Sequence, residues 1–294
     1  MAYSIVILPL IGFLISRGKI LLKIYQQSVD LVLKLVGGKG LGKKFPFLWR
    51  LYDFFFRLAA PKKYFFHQIN NMKFLVDPNE PLRHVRNWMQ NYFMSNEYEP
   101  VTTKIVEELV KPGHIAIDIG ASIGYFSMLL SRCVGVSGRV YSFEPTREGF
   151  KYLCENRLAN EATNVNPFNL AAWSHEDLVQ MPMSSYASNK QWANGVAIDK
   201  FLSDRGITKI DFIKMDIDGA EPWAIQGLEK IFLNNPDLIM ICEYYPKYIE
   251  ASNGNPKIFH DLLEKYFEIE IIEGDYGEGY WNYLCRRKKN KKDA

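Results

Sequence analysis

Cysteine is scarce in this chain and widely spaced. Cys133, Cys154, Cys242 and Cys285 form no Cys-x-x-Cys pair, which argues against a disulfide framework and against a zinc cluster. A reducing compartment, the cytoplasm, is the expected location. The five histidines are equally dispersed. His67, His84, His114 and His260 have no partner at ligand spacing, so no metal centre is expected from them. Only His175, followed by Glu176 and Asp177, stands in a loop from which it could reach a ligand. Acid is nearly missing from the first 66 residues, where eleven Lys/Arg face only Asp30 and Asp53, a balance of +9. Residues 286–294 hold six Lys/Arg and Asp293, or +5, so with a total of +3 the stretch 67–285 carries −11. That acidic middle argues against a nucleic-acid substrate. A long hydrophobic run is also missing. Tyr3–Ile15 is thirteen residues long and contains Pro9 and Gly12. As a helix it reaches about 20 Å, short of the roughly 30 Å hydrocarbon core. No positive charge precedes it and no small-residue cleavage site follows, so a secretory signal is a poor match.

What the sequence does contain is an ordinary globular balance, 48% apolar and 23% charged over 294 residues. Disorder is excluded for most of it, and one large α/β domain fits. Residues 1–66 read as a basic, apolar segment. Leu21, Ile24, Leu31 and Leu35 recur at helical spacing among Lys19, Lys23 and Lys34, a pattern suited to a helix on an anionic membrane surface. Packing of those apolar faces on the rest of the chain is the alternative. Residues 67–113 form a cap region, with a strand at Met72–Val76 and a helix at Pro100–Val110. From residue 114 to 286 strands and helices alternate: Ile115–Ile119, Ile123–Cys133, Arg139–Phe143, Arg147–Ala159, Asn164–Ala171, Ile210–Met215, Trp223–Leu233, Leu238–Cys242 and Pro256–Tyr266. Alternation of this kind predicts a parallel sheet covered by helices. Phe267–Ile272 and Tyr280–Arg286, joined through glycines, read as a closing antiparallel hairpin. Residues 287–294 are a basic tail.

The stretch Ile115-Ala-Ile-Asp118-Ile-Gly120-Ala-Ser-Ile-Gly124 is a strand breaking into a glycine turn and then a helix. Glycine lets backbone approach a ligand closely, and a helix start offers unpaired N–H groups. Glu144 lies twenty-four residues beyond Gly120 at the end of the next strand, where a carboxylate can take two ribose hydroxyls. A nucleoside-type cofactor follows. The spacing is Gly-x-x-x-Gly rather than Gly-x-Gly-x-x-Gly, which argues against NAD.

With Asp118-Ile-Gly-Ala-Ser-Ile-Gly-Tyr-Phe-Ser127, Val140-Tyr-Ser-Phe-Glu-Pro145, Ile210-Asp-Phe-Ile-Lys-Met-Asp-Ile-Asp-Gly-Ala-Glu221 and Leu238–Glu243, the chain resembles the FkbM-type S-adenosylmethionine-dependent methyltransferases from about Asn70 to Arg286. Asp218 stands where that family usually has Glu. The resemblance implies a Rossmann-like class I fold with a seven-stranded, mostly parallel sheet. It implies S-adenosyl-L-methionine as cofactor, with Gly120, Ala121 and Gly124 along its methionine part, Ser122 also among the cofactor-binding residues, Glu144 on the ribose, Ala171 and Ala172 by the adenine, Asp118 holding the glycine turn and Glu99 near the ammonium. It also implies a hydroxyl-bearing acceptor such as a sugar or hydroxylated natural product, and with the membrane-surface reading the expected acceptor is a saccharide or lipid-linked saccharide.

Methyl transfer to a hydroxyl requires an aligned acceptor and a base for its proton. Asp216, Asp218, Glu221 and Glu243 form the candidate catalytic set, with Asp216 the favoured base, because carboxylates crowded in a cleft raise one another's pKa. Lys214 is the weaker candidate. Asp211 reads equally as a strand cap, Asp218-Gly219 as turn chemistry and Glu221 as a helix-start residue. Trp192, Tyr244, Tyr245, Tyr280 and Trp281 offer flat faces for a sugar ring or for the core. Two other functions remain open: a metal-dependent glycosyltransferase using Asp216-x-Asp218, and a non-catalytic binding protein on a methyltransferase fold.

Overall fold

The computed structural model describes residues 64–77, 98–180, 192–275 and 279–288. The expected membrane-surface segment lies outside the described residues except for its last three positions, as do His84 and most of the basic tail. Among the described residues no helix is long and apolar enough to cross a membrane. They fall into two units: 64–70 and 75–77 belong to one, and 71–74 with everything from Tyr98 onward to the other. Phe65–Ile69 (β1) and Met72–Val76 (β2) pair as a two-stranded sheet.

In the larger unit, helix α1 (Pro100–Leu109) leads into β3 (Ile115–Ile119), α2 (Tyr125–Val134), β4 (Arg139–Phe143), α3 (Arg147–Ala159) and β5 (Val165–Phe168). After a second small sheet come β9 (Phe212–Met215), a broken helical stretch, β10 (Ile239–Tyr244), α7 (Pro246–Ala251), α8 (Pro256–Tyr266) and the hairpin β11 (Phe267–Asp275) and β12 (Tyr280–Arg287). Seven strands form one sheet in the order β11-β12-β10-β9-β3-β4-β5. From β10 to β5 neighbours are parallel, and β12 runs antiparallel to both β10 and β11. This is the expected Rossmann-like class I architecture. Ile117, Ile119, Phe143, Ile213, Met215 and Cys242 share one face of the sheet and join one buried core, while the opposite face buries Asp118, Ser142 and Lys214.

Two expectations need correction. Asn164–Ala171 is not one strand. β5 ends at Phe168, and Asn169 turns its side chain onto the carbonyls of Glu144 and Pro145, both at 2.9 Å. Ala171–Ala172 (β6) then starts a separate three-stranded sheet with Asp177–Gln180 (β7) and Trp192–Val196 (β8), in the order β6-β8-β7. Short, half-polar strands of this kind have no strong alternation to read. Helix α4 (Ile198–Ser203) follows it. The stretch Trp223–Leu233 is likewise not a single helix: α5 (Glu221–Ala224), a 3-10 turn (Ile225–Leu228) and α6 (Glu229–Asn234) succeed one another. At Gly227 a Cβ would stand 2.1 Å from the Trp173 carbonyl oxygen, so tertiary packing against the small sheet overrides local helical period.

The register positions the site. Ile119 is paired with Phe143 on one side and Met215 on the other, and Met215 with Cys242. The next residues along these parallel strands are Gly120, Glu144, Asp216 and Glu243, so all four stand in a row on the C-terminal edge. The chain leaves β3 towards β4 and β5 and returns to its other side at β9. Ligands bind outside such a reversal in open α/β sheets.

Candidate active site at the C-terminal edge of the sheet

The glycine turn is pressed against its neighbour strand. Gly120 has φ +82°, and a Cβ built there would lie 1.8 Å from the Asp216 carbonyl oxygen, so no side chain fits without moving backbone. The Phe143 carbonyl accepts from Gly120 N–H at 2.9 Å and from Ala121 N–H at 3.0 Å. Ser122, at φ 50°, donates its N–H to Glu144 Oε2 at 2.8 Å. The other oxygen, Oε1, accepts from Thr146 N–H at 2.8 Å and from the Thr146 hydroxyl. Thr146 in turn caps α3 by accepting from Gly149 N–H. Burial pushes the Glu144 carboxyl up, against these donors. With two lone pairs on each oxygen and three donors in place, one acceptor position, on Oε2, remains for a ligand hydroxyl.

Asp118 is buried on β3 and accepts from Ser127 Oγ of α2 at 2.5 Å. It thereby anchors the helix that follows the turn. Burial raises its pKa to about 6, with Ser127 and Lys214 pulling the other way. Gly124 is the cap of α2, at φ +95°. A small cleft opens beside Gly120, walled by Pro145, Ala171, Ala172, Trp173 and Ile217. Trp173 stacks on Trp223 with ring planes 4° apart and centroids at 5.2 Å. Of the expected cofactor residues, Gly120, Ala171 and Ala172 line this cleft; Ser122 is tied to Glu144, which stands beside lining residues Phe143 and Pro145.

The acidic set sits on the other side of β3. Asp216 follows β9 and is 29% exposed, with Oδ2 3.2 Å from Lys214 Nζ. Lys214 itself is 1% exposed and lies 4.9 Å from the Phe126 ring centroid. Burial would depress its ammonium, but Asp216, Glu99 and Glu243 outweigh that and hold it above the usual lysine value. Glu221 heads α5, accepts from Ile217 N–H at 3.0 Å through Oε1, and leaves Oε2 buried without a donor. Burial first, then Asp216 and Asp218, raises Glu221 to about 8. Glu243 Oε2 is also buried without a donor, and burial with Asp216, Glu221 and Asp218 lifts this carboxyl well above its ordinary value. Asp218 is exposed at φ 53° in the turn before α5. Glu99, at φ 40° ahead of α1, accepts from Asn282 Nδ2 of β12 at 3.0 Å; burial raises it while Lys214 lowers it. Chemically, the set offers one carboxylate paired with a cation and several held towards the neutral form.

Several sequence readings resolve plainly. Asp211 accepts from Ile115 N–H at 2.8 Å, a strand cap. His175 is exposed beside Asp177 and Ser174 and does not line the cleft. Tyr244 is packed among Phe259, Trp281 and Tyr283, whereas Tyr245 groups with Tyr248 and Tyr280. Trp192 is exposed on β8. Among the described residues no three His, Cys, Asp or Glu side chains are arranged to hold a metal ion. Trp173, Asn169 and Asn282 were not singled out from sequence. Trp173 directly follows Ala172, and that adjacency was the available signal.

The chain is similar to several known proteins. AMB antimetabolite synthetase AmbE of Pseudomonas aeruginosa is 25% identical over 226 residues, covering 60% of this chain and 10% of that protein. The chain thus spans about a tenth of the length of the curated relative it matches. Among solved structures, methyltransferase FkbM from Methylobacillus flagellatus is 17% identical, with a TM-score of 0.42, over 67% of this chain and 52% of that one. An rRNA methylase from Streptococcus thermophilus is 10% identical, with a TM-score of 0.45, over 64% and 95%. Residues 118–270 match the methyltransferase FkbM domain, and the match spans the glycine turn, Glu144 and the whole acidic set. The chain belongs to the FkbM methyltransferase family.

Proposed function

We propose that this chain transfers a methyl group from S-adenosylmethionine to a hydroxyl group of a saccharide or glycolipid, working at an anionic membrane surface. The observation that carries the reading is the row Gly120, Glu144, Asp216 and Glu243 along one sheet edge, beside a cleft bounded by Gly120 and Trp173. The residues fit the cofactor: Oε2 of Glu144 keeps an acceptor position and Trp173 offers an indole at an apolar wall, whereas the glycine at 120 is already required by the Asp216 carbonyl. When bound, S-adenosylmethionine supplies a methyl group that is already electrophilic. The protein then has to orient the acceptor oxygen and take its proton, and such a base is worth about 10²–10⁴ in rate. Asp216 is assigned that role, with Glu243, Glu221 and Asp218 around it. Tyr245, Tyr248 and Tyr280 present neighbouring rings on which a sugar can lie. The −11 balance of residues 67–285 disfavours a polyanionic acceptor such as RNA. The basic segment 1–66 is the expected membrane contact.

The test is titration calorimetry of the full chain with S-adenosylmethionine, followed by incubation with methyl-labelled cofactor and fractionated cell-envelope extract. Saturable binding and label in a sugar or glycolipid fraction are expected. Absence of binding overturns the methyltransferase reading, and label confined to RNA or protein overturns the acceptor class. Release of a nucleoside diphosphate from a nucleotide sugar would favour glycosyl transfer instead.

A further inference from the structure

We infer that Lys214 is a positioning residue that reserves the negative charge of the acidic set for Asp216, the group that receives the acceptor's proton. The inference rests on the proposed reading of Asp216 as base. Lysine is almost never fully buried without a partner, yet Lys214 sits 1% exposed on a central strand. Along β9 its side chain shares a face with Phe212, opposite to Ile213 and Met215, and its register neighbour on β3 is Asp118. The Phe126 ring lies across the ammonium at 4.9 Å, an arrangement that is favourable to a cation and helps to exclude water.

Five carboxyl groups act on this pair, Asp118 on β3, Glu99 ahead of α1, Glu243 on β10, and Asp218 and Glu221 beyond Asp216, and a sixth, Glu144 after β4, acts on Asp118 and Asp218. The hydrogen-bond donors to four of them are neutral. Asp118 takes Ser127, Glu99 takes Asn282, Glu144 takes Ser122 and Thr146, and Glu221 takes the Ile217 amide. Asp216 is the carboxylate in ion-pair contact with Lys214, at 3.2 Å. Coulomb attraction falls with distance, so in a crowded acidic site the anion settles where the cation touches. The proton lost by the acceptor hydroxyl ends on Asp216, and Lys214 keeps its own throughout.

Two variants separate charge from packing: Lys214→Met removes the charge at similar length, and Lys214→Arg keeps it. Thermal unfolding cycles near neutral pH pair Lys214→Met with Asp216→Asn and, separately, with Glu243→Gln. The expected coupling is larger with Asp216, and equal or larger coupling with Glu243 overturns the inference. Release of S-adenosylhomocysteine is then followed with labelled cofactor and the envelope extract from about pH 4, in the ordinary carboxylate range, to about pH 8. An anion that loses a cation at contact is harder to form, so the acid limb of Lys214→Met is expected to move about one unit or more to higher pH. Its rate then falls about tenfold at the acidic end and recovers at the alkaline end, while Lys214→Arg keeps the wild-type limb. An unmoved limb in Lys214→Met overturns the inference. Lys214→Gln serves the same comparisons should the methionine variant not fold. Calorimetry with S-adenosylmethionine reads the cofactor site separately, so its failure speaks against the methyltransferase reading and not against the ion pair.

Discussion

Glu221 has one oxygen on the Ile217 amide and the other sealed from solvent without a donor. A carboxyl group so placed is easier to bury neutral than charged, which is why its pKa rises to about 8. The unfolded chain ionises it near 4.3. Stability from this group is therefore fully present below that value and is lost as pH rises through 8. Glu221→Gln reproduces the neutral shape and can still accept from Ile217. Near pH 5 the variant and the wild type are expected to melt together. Near pH 9 the variant should melt higher by about 3 °C or more, since each kilocalorie is worth about 2–4 °C in a chain of this size. Melting curves at the two pH values decide it, and a variant less stable at both would mean that the charged form is the one the fold needs. The acidic character of this position was legible in sequence. Which oxygen lacks a donor was not, because that depends on how the turn at Ile217 folds back on the helix start.

At the scale of elements, the parallel strands and the hairpin were legible because each carries its own period or continuous apolar run. The seven-strand order then fixes the row of site residues. The broken helix after Asp218 was not legible, since its cause is Gly227 against the Trp173 carbonyl, a contact between segments far apart in sequence. The same holds for Asn169, which ends β5 by reaching back to the carbonyls after β4. These two contacts involve the lining residues Pro145 and Trp173, so the sequence located the site's edge and part of its lining, Gly120, Ala171 and Ala172, but not the Trp173 wall. Thr146 is where element and site meet: it caps α3 and also donates to Glu144. Thr146→Ala removes both bonds. A lost cap costs about 1 kcal/mol, or about 2–4 °C in melting temperature. Glu144 then keeps the amide of residue 146 but loses the hydroxyl that fixes its orientation, so affinity for S-adenosylmethionine should fall about tenfold, the equivalent of one charge-assisted hydrogen bond. Thr146→Ser keeps the hydroxyl and should restore both. Calorimetry and melting of the two variants separate the effects, and full affinity in the alanine variant would remove Glu144 from the cofactor site.

For the molecule as a whole the charge distribution matters more than the total of +3. On the proposed reading the −11 of residues 67–285 opposes approach to an anionic membrane, and the +9 of residues 1–66 together with the +5 of residues 286–294 supplies the attraction. Each basic residue near an anionic surface contributes about 1 kcal/mol, and apolar side chains at helical spacing add burial in the headgroup region. Binding should therefore depend on both lipid charge and salt. The full chain is expected to sediment with phosphatidylglycerol vesicles at low ionic strength, to release as salt shortens the Debye length below about 8 Å, and to ignore pure phosphatidylcholine. Replacing Lys19, Lys23 and Lys34 together by glutamine should weaken vesicle binding by about two orders of magnitude or more, while leaving S-adenosylmethionine affinity unchanged because the cleft lies among residues 119–220. Equal sedimentation of the triple variant would move the membrane contact elsewhere, and equal sedimentation with neutral lipid would replace electrostatics by apolar insertion of Tyr3–Ile15. A glycolipid acceptor makes sense only under the first outcome or the last, because in both the catalytic edge is delivered to a surface where the acceptor is concentrated.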